Sequence, residues 1–339
     1  MLKRARVRGY KCLEDVTVDL EPFTVLIGRN DSGKSSFLQA IAELTRCARS
    51  SLPSRGHGLR VRLDGATRSA ELFSGPSTLG IAVGVPDEEA LTTPFALHKP
   101  LTADRWNDEY GELNTSEPLV LDAASVAERA ENSWRTIEEF VARRGGGTAA
   151  YLAALALRDR ERFDLIEKAL RDVTKGRVAS LVVDDVGNST YALSFRLFDR
   201  TVIAAGDLSQ GLLLYLAFLS IVHRDPVPAT LLVEEPETGL HPFRLFEVVS
   251  LLRSLNDRGV QVILTTHSPD LLSACKPHEV RVFSRPTPES STRVDVLPPD
   301  FERRAMRETL GEVWASRGEE GLLDRPNGPI VPSVQAEPK

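Results

Sequence analysis

Two glycines, a lysine and three serines fall within nine residues, "GRNDSGKSS" at 28–36, directly after the apolar run "FTVLI". Gly28, four residues, Gly33, Lys34 and Ser35 is the spacing of a P-loop. The flanks suit one as well, with Val25, Leu26 and Ile27 before the loop and the amphipathic "SFLQAIAELTRCA" after it. Such a turn aims several backbone N–H groups at one point, and the helix behind it adds the positive end of its dipole, so the pair forms an anion cradle. Its residues are Gly28, Arg29, Asn30, Asp31, Ser32, Gly33, Lys34, Ser35 and Ser36. Lys34 is expected to reach the outer phosphates of a nucleotide, and the Ser35 hydroxyl is a hard oxygen suited to Mg²⁺.

Three later stretches carry compatible chemistry. In "ATLLVEEPETGLH", at 229–241, four apolar residues run into Glu234 and Glu235. A buried strand that ends in acids places them at the carboxyl edge of a doubly wound sheet, where ligands bind. There Glu234 suits Mg²⁺ and Glu235 suits the proton of a water that attacks a γ-phosphate. In "DLSQGLLLYLAFL", at 207–219, Ser209 and Gly211 open an apolar helix. Alone that is an ordinary N-cap, but it is also a second phosphate site that the P-loop of the same chain cannot easily use. In "VILTTHSPDLL", at 262–272, His267 follows a buried strand and is placed to point back into the same crevice.

The elements that must position these residues follow from the patterning. Residues 4–28 read as three short strands and 34–49 as a helix, followed to about 120 by an antiparallel β layer with long loops. Residues 124–174 read as two helices around "GGG" at 145–147, a helical insertion. "VASLVVDD" and "YALSFRLFDR" read as strands, and the last third alternates helix and strand, as a parallel sheet with crossover helices does. The expected division is an N-terminal lobe with the P-loop and β layer at 1–123, the insertion at 124–175, a C-terminal lobe at 176–322 and a disordered tail at 323–339. The fold class is therefore α/β, a mostly parallel core sheet with an antiparallel layer. With 42 Lys+Arg against 48 Asp+Glu the chain carries a net charge of −6, so no overall basic field draws it to nucleic acid. Cys12, Cys47 and Cys275 form no ligand pair, and no apolar leader or membrane span is evident, which points to the cytoplasm.

The P-loop, "LSQG", "LLVEEPETGLHP" and "TTHSPDLL", in that order, resemble the ATPase heads of the ABC superfamily, in the RecF/SMC-like, non-transporter branch that includes OLD-like ATP-binding domains. The opening "RVRGYKCLEDVTVDLEPFTVLIGRNDSGKSSFLQAI" resembles that branch over its whole length. The resemblance implies Mg²⁺-dependent hydrolysis of ATP between two heads that sandwich two nucleotides. In it Gly28 to Ser36 is Walker A, Glu234 and Glu235 are Walker B, and Leu208 to Gly211 is the signature. Glu237 to His241 is the D-loop region and His267 the switch histidine. Ser209 and Gly211 would then touch the γ-phosphate held by the partner head. Three features depart from the family: Glu234 stands where Asp is usual, the signature is shortened, and no Mg²⁺-contacting glutamine can be placed. Tyr10 reads either as a stacking surface for adenine or, more simply, as core.

The output of such an engine is less determined. A transporter would show a shorter path from P-loop to signature, a chromosome-organising head needs long heptad arms, and an OLD-type nuclease needs a TOPRIM domain for which the residues after Cys275 leave no room. The expectation is a homodimeric head that regulates a separate effector protein in phage defence or DNA repair. The alternative is a RecF-type repair ATPase that clamps duplex DNA, motivated by the basic clusters Lys3, Arg4, Arg6, Arg8, Lys11 and Arg158, Arg160, Arg162.

Overall fold

The computed structural model describes residues 1–50, 59–74, 79–84, 94–96, 108, 110–131, 144–225, 227–287, 289–301 and 308–323. The chain opens with an antiparallel hairpin, β1 (Arg4–Tyr10) and β2 (Leu13–Asp19), then enters a second sheet at β3 (Phe23–Ile27). The P-loop and α1 (Lys34–Ser50) follow, and the chain returns to the first sheet as β4 (Arg60–Asp64), β5 (Ser69–Ser74), β6 (Leu79–Gly84) and β7 (Pro94–Ala96). That sheet is antiparallel throughout, in the order β2-β1-β4-β5-β6-β7. Alternation holds it: Ala5 and Val7 are buried while Arg4 and Arg6 pair across the strand with Asp19 and Asp15 at 2.7 and 2.6 Å. Such exposed pairs contribute only about 0–1 kcal/mol each, so the buried face sets the register.

Next come a one-turn helix α2 (Ala123–Ala127), β8 (Ala130–Glu131), α3 (Thr148–Arg158) and α4 (Arg160–Val173). The expected helix over 124–144 is thus corrected in its described part, where Glu128 turns extended and frees Ala130–Glu131 to pair with a neighbouring strand. Tertiary pairing overrides an amphipathic pattern here. The second expected helix is also split, because Asp159 leaves helical geometry and its carboxylate caps Arg162 N–H. A small antiparallel sheet is built on β10 (Thr190–Leu197), with β9 (Val178–Asp185) along one edge and β11 (Val202–Ala204) and β8 sharing the other.

The remainder is α5 (Gln210–Val222), β12 (Thr230–Glu234), α6 (Pro242–Ser254), β13 (Gln261–Thr266), α7 (Pro269–Ser273), β14 (Val280–Ser284), β15 (Arg293–Val296) and α8 (Leu310–Leu323). The central sheet has the order β12-β13-β3-β14-β15, parallel except for β15. Period two divides each of its strands between cores. Val25, Leu231, Val233, Val262 and Leu264 face the helices α3 to α6, and Leu26, Leu232 and Ile263 face α1 and the antiparallel layer. α5 is apolar on every side and buried from Leu212 to Val222, which makes it the centre of the helical layer. The expected tail beyond 323 lies outside the described residues.

Candidate functional site

Strand register assembles the site. Glu234 pairs with Thr265, Thr265 with Leu26, and Thr266 with Ile27, so the carboxyl ends of β12, β13 and β3 stop side by side. Glu235, His267 and Gly28 are the residues just past those ends. Gly28 cannot be replaced without rebuilding the loop, since a Cβ there would sit 2.1 Å from the carbonyl oxygen of Phe283.

Lys34 is 4% exposed, and its Nζ donates to the carbonyls of Gly28 at 2.8 Å and Arg29 at 2.9 Å. Burial pushes its pKa down to about 8, against the upward pull of Glu235, Glu319, Asp31 and Glu237. A cavity of about 930 Å³ opens over it, walled by Asn30, Asp31, Gly33, Lys34, Ser35 and Ser36 from the loop and by Glu235 and His267 from the neighbouring strands. Arg29 and Ser32 belong to the loop but not to that wall.

Glu235 has φ 42°, a left-handed conformation that costs a non-glycine residue on the order of 1 kcal/mol. Its N–H is held by Thr265, at 3.1 Å to the carbonyl and 3.3 Å to the hydroxyl. The bend brings its carboxylate beside His267, whose Nε2 lies 3.2 Å from Glu235 Oε1. Burial and then the charge of Lys34 lower the pKa of His267, which favours the neutral ring. Glu234 stands outside the cavity wall. Its pKa is raised by burial and by Glu235, and its Oε1 is buried without a hydrogen-bond partner. An orphaned carboxylate oxygen and the Ser35 hydroxyl are hard donors of the kind a Mg²⁺ takes.

Ser209 and Gly211 are not brought to this cavity. Ser209 is exposed at the N-cap of α5, and its hydroxyl caps nothing in that helix. Tyr10 is 6% exposed within the core of the antiparallel layer and is not part of the cavity wall. The sole described segment running beside β12 between P-loop and signature is 114–119, which bonds Thr230 and Leu232 and is followed by Val120, Leu121 and Asp122. None of these is a glutamine, and Asp122 is engaged in capping α2 through Ser125.

Several participants escaped the sequence reading. Glu237 Oε1 accepts from Thr266 Oγ1 at 2.7 Å and from His267 N–H at 2.8 Å, so this glutamate fixes the backbone that carries His267. Lys11, Cys12, Arg285, Pro286 and Thr287 complete the cavity wall. Thr292, buried after the β14–β15 turn, donates to the Ser32 carbonyl at 2.9 Å and latches that turn to the P-loop. Only the acid-rich "EEPE" offered a signal for Glu237; the others are brought in by folding from more than 250 residues away or from the β1–β2 turn.

Comparison with known proteins agrees with this geometry. Residues 1–55 match the family described as AAA ATPase domain, and residues 119–273 match the one described as AAA domain, putative AbiEii toxin, Type IV TA system. An SMC head solved with the C-winged helix domain of ScpA superposes with a TM-score of 0.59 at 13% identity, over 90% of this chain and 99% of that one. The Smc head domain with an extended coiled coil bound to the C-terminal domain of ScpA, from Pyrococcus furiosus, gives 0.53 at 11%, over 89% and 98%. An OLD nuclease from Thermus scotoductus is 46% identical over 41 residues, 12% of this chain and 8% of that protein's length. The partial family matches support an ABC/SMC-like ATPase domain, and the SMC heads share its fold. Among the described residues no helix is long and apolar enough to cross a membrane.

Proposed function

We propose that this protein binds ATP and hydrolyses it to ADP and phosphate with Mg²⁺, as a cytoplasmic homodimer that sandwiches nucleotide and regulates a separate effector protein in phage defence or DNA repair. The observation that carries the reading is the single cavity in which Lys34, Ser35, Glu235 and His267 meet from three parallel strand ends. Loop amides and Lys34 stabilise the charge that builds on the transferred phosphoryl group. Glu235 takes the proton of the attacking water, and His267, which lies beside Glu235 and has its backbone N–H held by Glu237, donates to the γ-phosphate. Ser35 and Glu234 would hold Mg²⁺, which neutralises charge on the β- and γ-phosphates when bound.

Ser209, exposed and outside the wall of its own chain's cavity, supports a site completed by a second head. The effector reading draws on solved heads of this fold that are bound to domains of a separate protein, ScpA. The defence reading draws on the family description and on the short OLD nuclease match. Of the basic residues that motivate the DNA-clamping alternative, Arg4 and Arg6 are paired with Asp19 and Asp15, and Arg160 and Arg162 with Asp164 and Asp225.

The test is the solution mass of Glu235→Gln by light scattering, with and without ATP and Mg²⁺. A shift from one chain to two, abolished by Ser209→Arg, is the expected result. A monomer that stays a monomer at saturating ATP would remove the sandwich.

A further inference from the structure

One contact ties the C-terminal helix to the nucleotide cradle: Glu319 Oε1 of α8 accepts the N–H of Arg29 at 3.1 Å, across 290 residues of chain. Arg29 is outside the cavity wall, so the carboxylate grips the loop from beyond the cavity. The Gly28–Arg29 segment is thereby held twice, its two carbonyls by Lys34 and its Arg29 amide by Glu319. Glu319 is half-buried, which raises its own pKa, and its charge, like those of Glu235, Asp31 and Glu237, pulls the pKa of Lys34 upward.

The helix is shaped for this reach. Leu310, Val313 and Leu322 pack with Ile27, the last residue of β3, and with Leu272 of α7. Gly311 permits close approach to α7, because a Cβ there would lie 2.0 Å from the Pro269 carbonyl oxygen. Gly318, at φ 61° and ψ −148°, breaks the helix one residue before Glu319 and redirects its last turn. α8 therefore bridges the strand that precedes the P-loop and the helix that comes after His267.

We propose that α8 is an internal restraint on nucleotide loading: Glu319 pins Arg29 and keeps a negative charge beside Lys34, so a polyphosphate binds more tightly once that charge is removed or the helix leaves α7. To reach a phosphate Lys34 gives up its loop carbonyls, and the incoming phosphates then share the field of Glu319. Like charges in a partly buried setting oppose one another more strongly than in water. The inference rests on the reading of the cavity as a nucleotide site.

The experiment is titration of a fluorescent ATP analogue, with Mg²⁺, into wild type, Glu319→Gln, Gly311→Val and Lys34→Ala. A glutamine oxygen still accepts from Arg29 N–H, so Glu319→Gln removes the charge and keeps the bond. Its Kd is expected to fall about fivefold, the size of a partly screened charge interaction, and the gap should narrow as salt is raised. Gly311→Val should tighten binding with Glu319 in place. Lys34-dependent binding in both wild type and Glu319→Gln, with equal or weaker affinity in the variant, would overturn this inference alone. Failure of both proteins to bind would overturn the nucleotide reading and the restraint with it.

Discussion

The P-loop and the signature turn each place a helix N-terminus where a phosphate is expected, yet the two are built in opposite ways. At the P-loop the lysine is almost fully buried, its ammonium is bonded to two carbonyls, and three strands converge around it. At the signature Ser209 is exposed, its hydroxyl caps nothing in its helix and it is not part of the P-loop cavity wall, although the helix behind it is buried from Leu212 to Val222. The difference teaches what the proposed sandwich asks of one chain: a cradle closed within itself and a rigid, exposed signature turn left for a second head.

The comparison breaks most sharply at Glu235. Replacing it with glutamine should leave ATP binding intact and lower turnover by about 10² to 10⁴, the usual worth of a positioned base; steady-state kinetics beside a binding titration will show whether the P-loop side carries the chemistry. Ser209→Arg should cost about 10² in turnover, by analogy with loss of one transition-state donor, with nucleotide affinity of the single chain retained. A loss of affinity instead would mean that the two sites are not separate.

The pH dependence sharpens the P-loop side. Lys34 must be charged to attract phosphate, and burial has lowered its pKa to about 8. Above that value the free protein loses the charge and binding has to restore it, so Kd should rise toward about tenfold per pH unit. Measuring ATP affinity at several pH values around 8 checks the slope; a flat profile would take the buried lysine out of recognition. The smallest effect is expected at Glu237. Alanine there frees the backbone of His267 and should lower kcat several-fold with little change in KM, roughly the cost of one buried hydrogen bond, and glutamine should recover most of it.

The chemistry legible in the sequence was whatever is local. The P-loop, the paired acids and His267 each end a run of apolar residues, and a buried strand with polar chemistry at its carboxyl end is readable without a structure. The parallel sheet and the antiparallel layer were legible for the same reason, through alternation and turn residues. The rest depends on register and packing. Glu237 reads only as the first residue of the D-loop region until β12 and β13 are aligned, and Arg285 and Thr287 join the cavity through β14 and β15, which are only five and four residues long. Glu319 belongs to a helix whose docking target depends on packing and is not written in its own residues. The helix expected over 124–144 shows the converse error, a local pattern overruled by a partner strand.

The alignment of Glu234 with Thr265 and of Thr266 with Ile27 also divides the chain by its tolerance for change in length. One residue added inside β3, β12 or β13 would turn the adjoining acid or histidine to the wrong side of the sheet and dissolve the cradle. The long connections between those strands, away from the P-loop, the signature turn and the residues just past β12 and β13, carry no such constraint. Lengthening them alters what the engine can be attached to while leaving the engine itself untouched, so diversity of output in chains of this design should accumulate between the strands and never within them.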